Sequence, residues 1–335
     1  MGTEILLAAA FSGGVLAFLG KRPQKEGLKS SSFAVLAGGL FLAALTLRLS
    51  LGYYGESFQS DLDTFKAWAY ALERTGLPEI YHRGDLYLDY PPGYLYILLL
   101  TEKLRMALNI PFDAPLYTLL LKLPSLLADL LCAGGLLWVG KRKLGEKTAL
   151  LVCAAYLFCP VILINSALWG QVDSFCTAIL FCSVLLLYRE WYLPSALLYG
   201  VSIACKPQML IFAPVYLFFT IKQKKWSRLP LGVLCALGAI LVLALPFTTN
   251  FDFHWLPEKY QNTLDYYNFY SINAYNFWAL MGWNWKTLPE GALFQLLTYA
   301  APVAATLLCG VLLFFSKRKE TLFACPVLLM AVMFL

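Results

Sequence analysis

Four aspartates, Asp61, Asp63, Asp85 and Asp89, share one polar stretch of a chain that is otherwise dominated by apolar residues. The stretch reads SDLDTFKAWAYALERTGLPEIYHRGDLYLDYPPGYLYILLL over 60–100 and ends by entering an apolar run. A carboxylate can accept a proton from a hydroxyl, ligate a cation or cap a helix. Asp61 and Asp63 precede FKAWAYALERTG, whose apolar or aromatic positions 65, 68, 69 and 72 recur with a helical period. Gly76 and Pro78 close that pattern, so a short helix along a membrane surface is predicted, with Ser60 or Asp61 at its N-cap. Tyr90-Pro91-Pro92 fixes an extended chain ahead of the next apolar run, because the residue before a proline is kept out of the helical region. Asp89 is thereby held at a membrane mouth, beside the N-terminus of a helix that starts at Pro91 or Pro92.

The elements that must position these acids follow from composition. The chain is 60% hydrophobic and 14% charged, against roughly 45–50% apolar and 25% charged in soluble domains. The apolar runs are long and uninterrupted, which specifies an all-α polytopic membrane protein rather than a β-barrel. Apolar segments lie at 3–20, 33–52, 91–108, 115–139, 148–165, 172–188, 192–205, 207–221, 229–247, 292–315 and 321–335. About ten or eleven transmembrane helices are expected, in a single domain over 1–335. The net charge of +6 resides in short basic clusters between these segments, at 21–29, 141–147, 222–228 and 317–320. That is the distribution of cytoplasmic loops and calls for no nucleic-acid partner. Two large loops, 53–90 and 248–291, then fall on the extracytoplasmic side with the turns WGQVD and KPQ. The accounting fails across 91–139, which must cross an odd number of times yet reads as two segments. The nine cysteines sit in or beside apolar runs without CxxC spacing and read as small buried apolar residues. His82 and His254 are the only histidines and stand far apart, so a His/Cys zinc site is not expected; no metal or other cofactor is called for.

The outer turns add polar and aromatic groups. Trp169, Gln171 and Asp173 could stack on and hydrogen-bond a sugar, or serve as an interfacial belt with capping neighbours. Lys206 stands against the positive-inside bias at the outer end of an apolar segment, with Gln208 beside it. Its ammonium could stabilise a phosphate leaving group or simply snorkel. Segment 248–291 is dense in Tyr, Trp, Phe and Asn, and its Asn273 and Asn276 lie on one side of a helical turn. Lys122 and Asp129, seven apart in one apolar segment, occupy one helix face and read as a structural pair with other buried polar groups.

The order D-x-D-x-F-x-x-W, G-x-x-x-x-Y, D-Y-P-P-G-Y, followed by NSALWGQVDSF (165–175), KPQMLIFAP (206–214) and SINAYNFWAL (271–280), resembles the GT-C class of polyprenyl-phosphate-sugar-dependent glycosyltransferases, bacterial members among them. The likeness covers roughly 50–335. It implies a GT-C-like helical bundle in a bacterial plasma membrane, with a catalytic aspartate in the first outer loop. Asp61 matches that position best and Asp63 second. The implied reaction inverts the anomeric centre: the carboxylate takes the proton of an acceptor hydroxyl as it attacks C1 of a hexose carried on polyprenyl phosphate. The acceptor is a glycan, lipid or protein. Asp89, Tyr90, Trp169, Gln171, Asp173, Lys206, Gln208, Asn273 and Asn276 are the implied substrate contacts. The resemblance also implies that further C-terminal spans follow FACPVLLMAVMFL. The alternative is a transporter or lipid-linked sugar flippase, which would place charge near the midplane and often show inverted repeats.

Overall fold

The computed structural model describes residues 30–266, 269–272, 277–288, 292–317, 319–326 and 329. Its helices, in chain order, are α1 (Ser30–Tyr54), α2 (Gln59–Thr75), α3 (Pro92–Ala107), α4 (Pro115–Leu144), α5 (Glu146–Leu157) and α6 (Pro160–Leu163). A π-helical turn, Ile164–Trp169, continues α6. There follow α7 (Asp173–Tyr188), α8 (Tyr192–Cys205), α9 (Ala213–Lys222), α10 (Leu229–Ala244), α11 (Trp255–Tyr266), α12 (Phe277–Leu280) and α13 (Ala292–Phe315). Among the described residues there is no β-strand, only two isolated bridges, Phe269 to Thr287 and Ser271 to Asn284. The chain is an all-α polytopic membrane protein.

Nine of the eleven apolar segments coincide with these helices; 3–20 lies outside the described residues and 321–335 is described only in part. Three helices are long and apolar enough to cross a bilayer unbroken: Ser31–Tyr54, Pro115–Leu144 and Trp226–Phe247, with mean hydropathies of 1.9, 1.6 and 2.4. Segment 148–165 forms two helical pieces, Glu146–Leu157 and Pro160–Trp169, bent by 42° at the break between them. Proline explains the bend, since Pro160 cannot donate to the preceding turn. The other apolar helices are shorter, as Asp173–Tyr188, Tyr192–Cys205 and Pro207–Lys222 are. Within 91–139 the chain forms two separate helices, α3 and α4, joined by a turn in which Asn109 has a φ of 52°.

The described residues form two compact units. The first comprises those up to Gly76 together with Leu95–Phe181. Here α2 buries Leu62, Phe65, Trp68, Ala69 and Leu72, the apolar face its period announced. The N-cap is Phe58, without a side-chain cap bond, so neither Ser60 nor Asp61 caps the helix. A buried salt bridge ties the unit's helices: Arg48 Nε donates to Asp129 Oδ2 at 3.0 Å, and Arg48 also donates to the Leu157 carbonyl at 2.8 Å. Both side chains are fully buried, as a membrane span demands of paired charges.

The second unit comprises Leu77–Tyr94 and the described residues from Cys182 on. Its α8 and α10 cross closely at Gly200 and Ala236. A Cβ built on Gly200 would lie 2.3 Å from the Ala236 carbonyl oxygen, so only glycine fits there. The same logic seats the start of α3, where a Cβ on Gly93 would meet the Ala204 carbonyl at 2.6 Å. Away from α8, α10 turns Val233, Leu234 and Val242 outward, each more than half exposed, as a lipid-facing side requires.

Gly200→Ala is expected to lower stability by about 1–3 kcal/mol through overpacking. Gly238→Ala, with nothing within 4 Å of the new methyl, should be neutral or stabilising by up to about 1 kcal/mol. Thermal unfolding of the two variants in one detergent checks the difference.

Candidate functional site

The first unit builds its site around Asp61. This residue lies in the first turn of α2, half-buried, where a carboxylate also suits the helix dipole. Trp169 Nε1 donates to Asp61 Oδ2 at 2.8 Å, and Gln171 Nε2 donates to the same oxygen. Among the described residues nothing donates to Oδ1. The carboxylate is therefore held in one orientation with a free oxygen. Asp63, two positions on and so on the other side of the helix, is exposed and accepts from Gln59 Nε2 at 2.7 Å.

What aims Trp169 and Gln171 is the π turn. Its closing bonds run from the Gly170 and Gln171 amides to the Asn165 carbonyl, at 3.1 and 3.0 Å. Gly170 sits at φ 90°, and a Cβ there would meet Leu62 Cδ2 at 2.9 Å. Both the left-handed backbone and the close approach require glycine. Phe58 packs against the Trp169 ring with centroids 5.0 Å apart, and Ser125 Oγ donates to the Gln171 carbonyl at 2.9 Å. Asn165 Nδ2 donates to Asp173 Oδ2 at 3.1 Å, which places Asp173 on the turn's supporting side.

Two groups on one face of α4 hold the turn. Lys122 Nζ is surrounded by the Ser57 hydroxyl at 2.7 Å, the Ala167 carbonyl at 2.9 Å and the Gly52 carbonyl at 3.3 Å. Ser166 Oγ donates to Asp129 Oδ2 at 2.7 Å. The structural pairing with other buried polar groups expected for Lys122 and Asp129 is the one observed.

The second unit gathers a separate cluster. Asp89 and Pro91 line a narrow crevice with Pro207, Trp255, Leu256, Lys259 and Tyr260. Tyr87 reaches Asp89 Oδ2 at 3.4 Å, and Lys206 Nζ stands 5.9 Å from the centre of the Tyr90 ring. Tyr81 braces the wall: its ring stacks on Trp255 with centroids 4.2 Å apart and its hydroxyl donates to the Tyr90 carbonyl at 2.8 Å. The Trp255 indole N–H and the Tyr260 hydroxyl are buried without a hydrogen-bond partner among the described residues. Buried donors of this kind call for a ligand or water. Burial pushes the Lys259 ammonium below its ordinary range, while the charges of Asp89 and Glu258 pull it back up.

Gln208 is exposed at the turn after α8. Asp85 is bound by Arg83, whose Nε donates to it at 2.9 Å, and that bond keeps its carboxyl below the usual range. Asn273 and Asn276 lie outside the described residues. The sequence reading missed Trp255, Lys259 and Tyr260. Their signal was the spacing of Trp255 and Lys259, four apart on one face of α11.

Comparison with known proteins bears on this arrangement. Residues 85–266 match the model of the ALG6, ALG8 glycosyltransferase family. The matched stretch holds Asp89, Trp169, Gln171, Lys206 and Lys259, while Asp61 and Asp63 precede it. No curated protein matches the chain.

Replacing Asp89 by Asn removes an opposite charge that supports the protonated form of Lys259. The ammonium then loses its proton at lower pH. Acylation of Lys259 by an amine reagent, followed by mass spectrometry across pH, should show its midpoint moving to lower pH in Asp89→Asn than in the wild type.

Proposed function

This chain belongs to the ALG6, ALG8 glycosyltransferase family, and on that footing we propose that it is an inverting hexosyltransferase with Asp61 as its general base. The family is of the GT-C class, and the chain is an integral membrane hexosyltransferase that draws on a lipid-linked sugar donor. Beyond this, the donor is a hexose on polyprenyl phosphate, and the acceptor is a glycan, lipid or protein with a free hydroxyl. The reaction takes place on the extracytoplasmic face.

One observation carries the reading: Trp169 and Gln171 fasten Asp61 through a single oxygen, Oδ2. The other oxygen is available to receive the proton of an acceptor hydroxyl while that hydroxyl attacks C1 of the donor. The bond from C1 to the lipid phosphate oxygen breaks on the opposite face, and the configuration inverts. The phosphate leaves as an anion, and Lys206 and Lys259 are the cations assigned to it. The charge of Asp89 offsets part of the cost of burying the Lys259 ammonium. Asp63, engaged by Gln59 on the exposed side of α2, has no assigned part in proton transfer. The basic runs 141–147 and 222–228 support the sidedness, since such runs mark cytoplasmic ends of spans.

Purified protein given a polyprenyl-phosphate hexose and an acceptor should form a glycoside of inverted configuration, read by NMR of the anomeric proton. Asp61→Asn should lower the rate by roughly 10²–10⁴-fold, the usual contribution of a positioned acid or base. Asp63→Asn should stay within a few-fold of the wild type. Full turnover in Asp61→Asn rejects the assignment, and movement of the lipid-linked sugar across vesicles without a glycoside product would establish the flippase reading instead.

A further inference from the structure

The second unit has a pocket that the proposed reaction does not use. It lies at the N-terminal end of α8, whereas Lys206 follows the C-terminal end of the same helix. Its volume is about 380 Å³, and the segment 190–194, Lys225 and Arg228 line it. That size falls within the roughly 300–1,000 Å³ typical of ligand sites.

Its electrostatics are uncompensated. Glu190 is the one acid in the lining, and Lys319 already pairs with it at 2.7 Å. Among the described residues no carboxylate pairs with Lys225 or Arg228. The ends of two helices add to this charge. Tyr192 opens α8, Arg228 is the N-cap of α10, and both residues line the pocket. Each helix is longer than a dozen residues, so each brings its positive end to the same place. Two cations against two positive helix ends repel one another, and an anion between them would offset that repulsion.

We propose that this pocket binds the phosphate group of an anionic membrane lipid. Phosphate matches the donors: Arg228 offers a fork and Lys225 a point charge. A lipid is the carrier because the pocket adjoins lipid-facing surface. Leu231 and Leu234 on the first turns of α10 are 44% and 63% exposed, giving acyl chains a path. Trp191 and Trp226, 57% and 68% exposed, flank it as interfacial anchors. Basic residues beside a span attract the anionic lipids of the cytoplasmic leaflet.

The test uses the full chain in nanodiscs containing phosphatidylcholine and phosphatidylglycerol, with retained lipid read by native mass spectrometry. The wild type should retain phosphatidylglycerol selectively. The Lys225→Gln, Arg228→Gln double variant should lose that retention by roughly tenfold or more, as expected for charged hydrogen bonds. Lys224→Gln, in the same basic run but outside the pocket, should bind as the wild type does. Equal loss in Lys224→Gln would show diffuse surface charge and overturn the proposal. So would equal retention of the two lipids, or displacement of the lipid by inorganic phosphate at matching concentration. Transferase activity is not the readout, so failure here leaves the role of Asp61 untouched.

Discussion

One buried ammonium, Lys122 Nζ, sets the geometry on which the first unit's site depends. Its three protons face the Ser57 hydroxyl and the carbonyls of Gly52 and Ala167. A lysine inside a membrane span is costly unless every proton finds an acceptor. The requirement works in both directions. The acceptors are carbonyls that the end of α1 and the π turn leave available, so satisfying Lys122 brings α1, α4 and the turn into one arrangement. Asp129 makes the second fastening, to Arg48 on α1 and Ser166 in the turn. Seven residues separate the two anchors, so both point the same way from α4. With Ser166 and Ala167 held, Gly170 closes the turn, and Trp169 and Gln171 can reach only one oxygen of Asp61. The orientation of a half-buried carboxylate is thus inherited from polar groups inside the membrane span.

The second unit reaches order by a different route. Its polar crevice is held by rings and close backbone contacts: Tyr81 on Trp255, and Gly93 against Ala204. Where the first unit presents a fixed hydrogen-bond acceptor, the second collects cations and buried donors around Asp89 and Lys259. The two provisions differ in kind: the first fixes the direction of one acceptor, the second concentrates positive field.

Apolar periodicity was enough to locate the helices, because lipid leaves the backbone no other way to satisfy itself. Asp61, Trp169 and Gln171 could be picked out as polar residues in outer turns, and Lys122 with Asp129 as an inward face. The cap of α2 was misread. Ser60 and Asp61 are strong N-cap types, yet the helix starts at Gln59 and Asp61 spends its carboxylate on donors more than a hundred residues away. Local propensity gave way to tertiary bonds. The π turn was invisible for a similar reason, since Gly170 and Ser166 permit it but Lys122 and Asp129, far away in the chain, hold it. Lys259 was not singled out in the sequence. Only the fold brings Asp89 beside it and covers it.

The α8 helix makes the charge placement of the second unit intelligible as a whole. Lys206 follows its last residue, where a cation meets the negative end of the helix and is stabilised by a few tenths to about 1 kcal/mol. Lys225 and Arg228 stand at its other end, where the same helix field opposes them. A chain could hold charges of one sign at both poles only if something other than the dipole stabilises the second set. Solvent does part of this, since both side chains are exposed. An anion between these groups would neutralise the two cations and reverse the sign of the helix contribution. That double gain distinguishes this pole from an ordinary basic loop, whose charges need no partner beyond water.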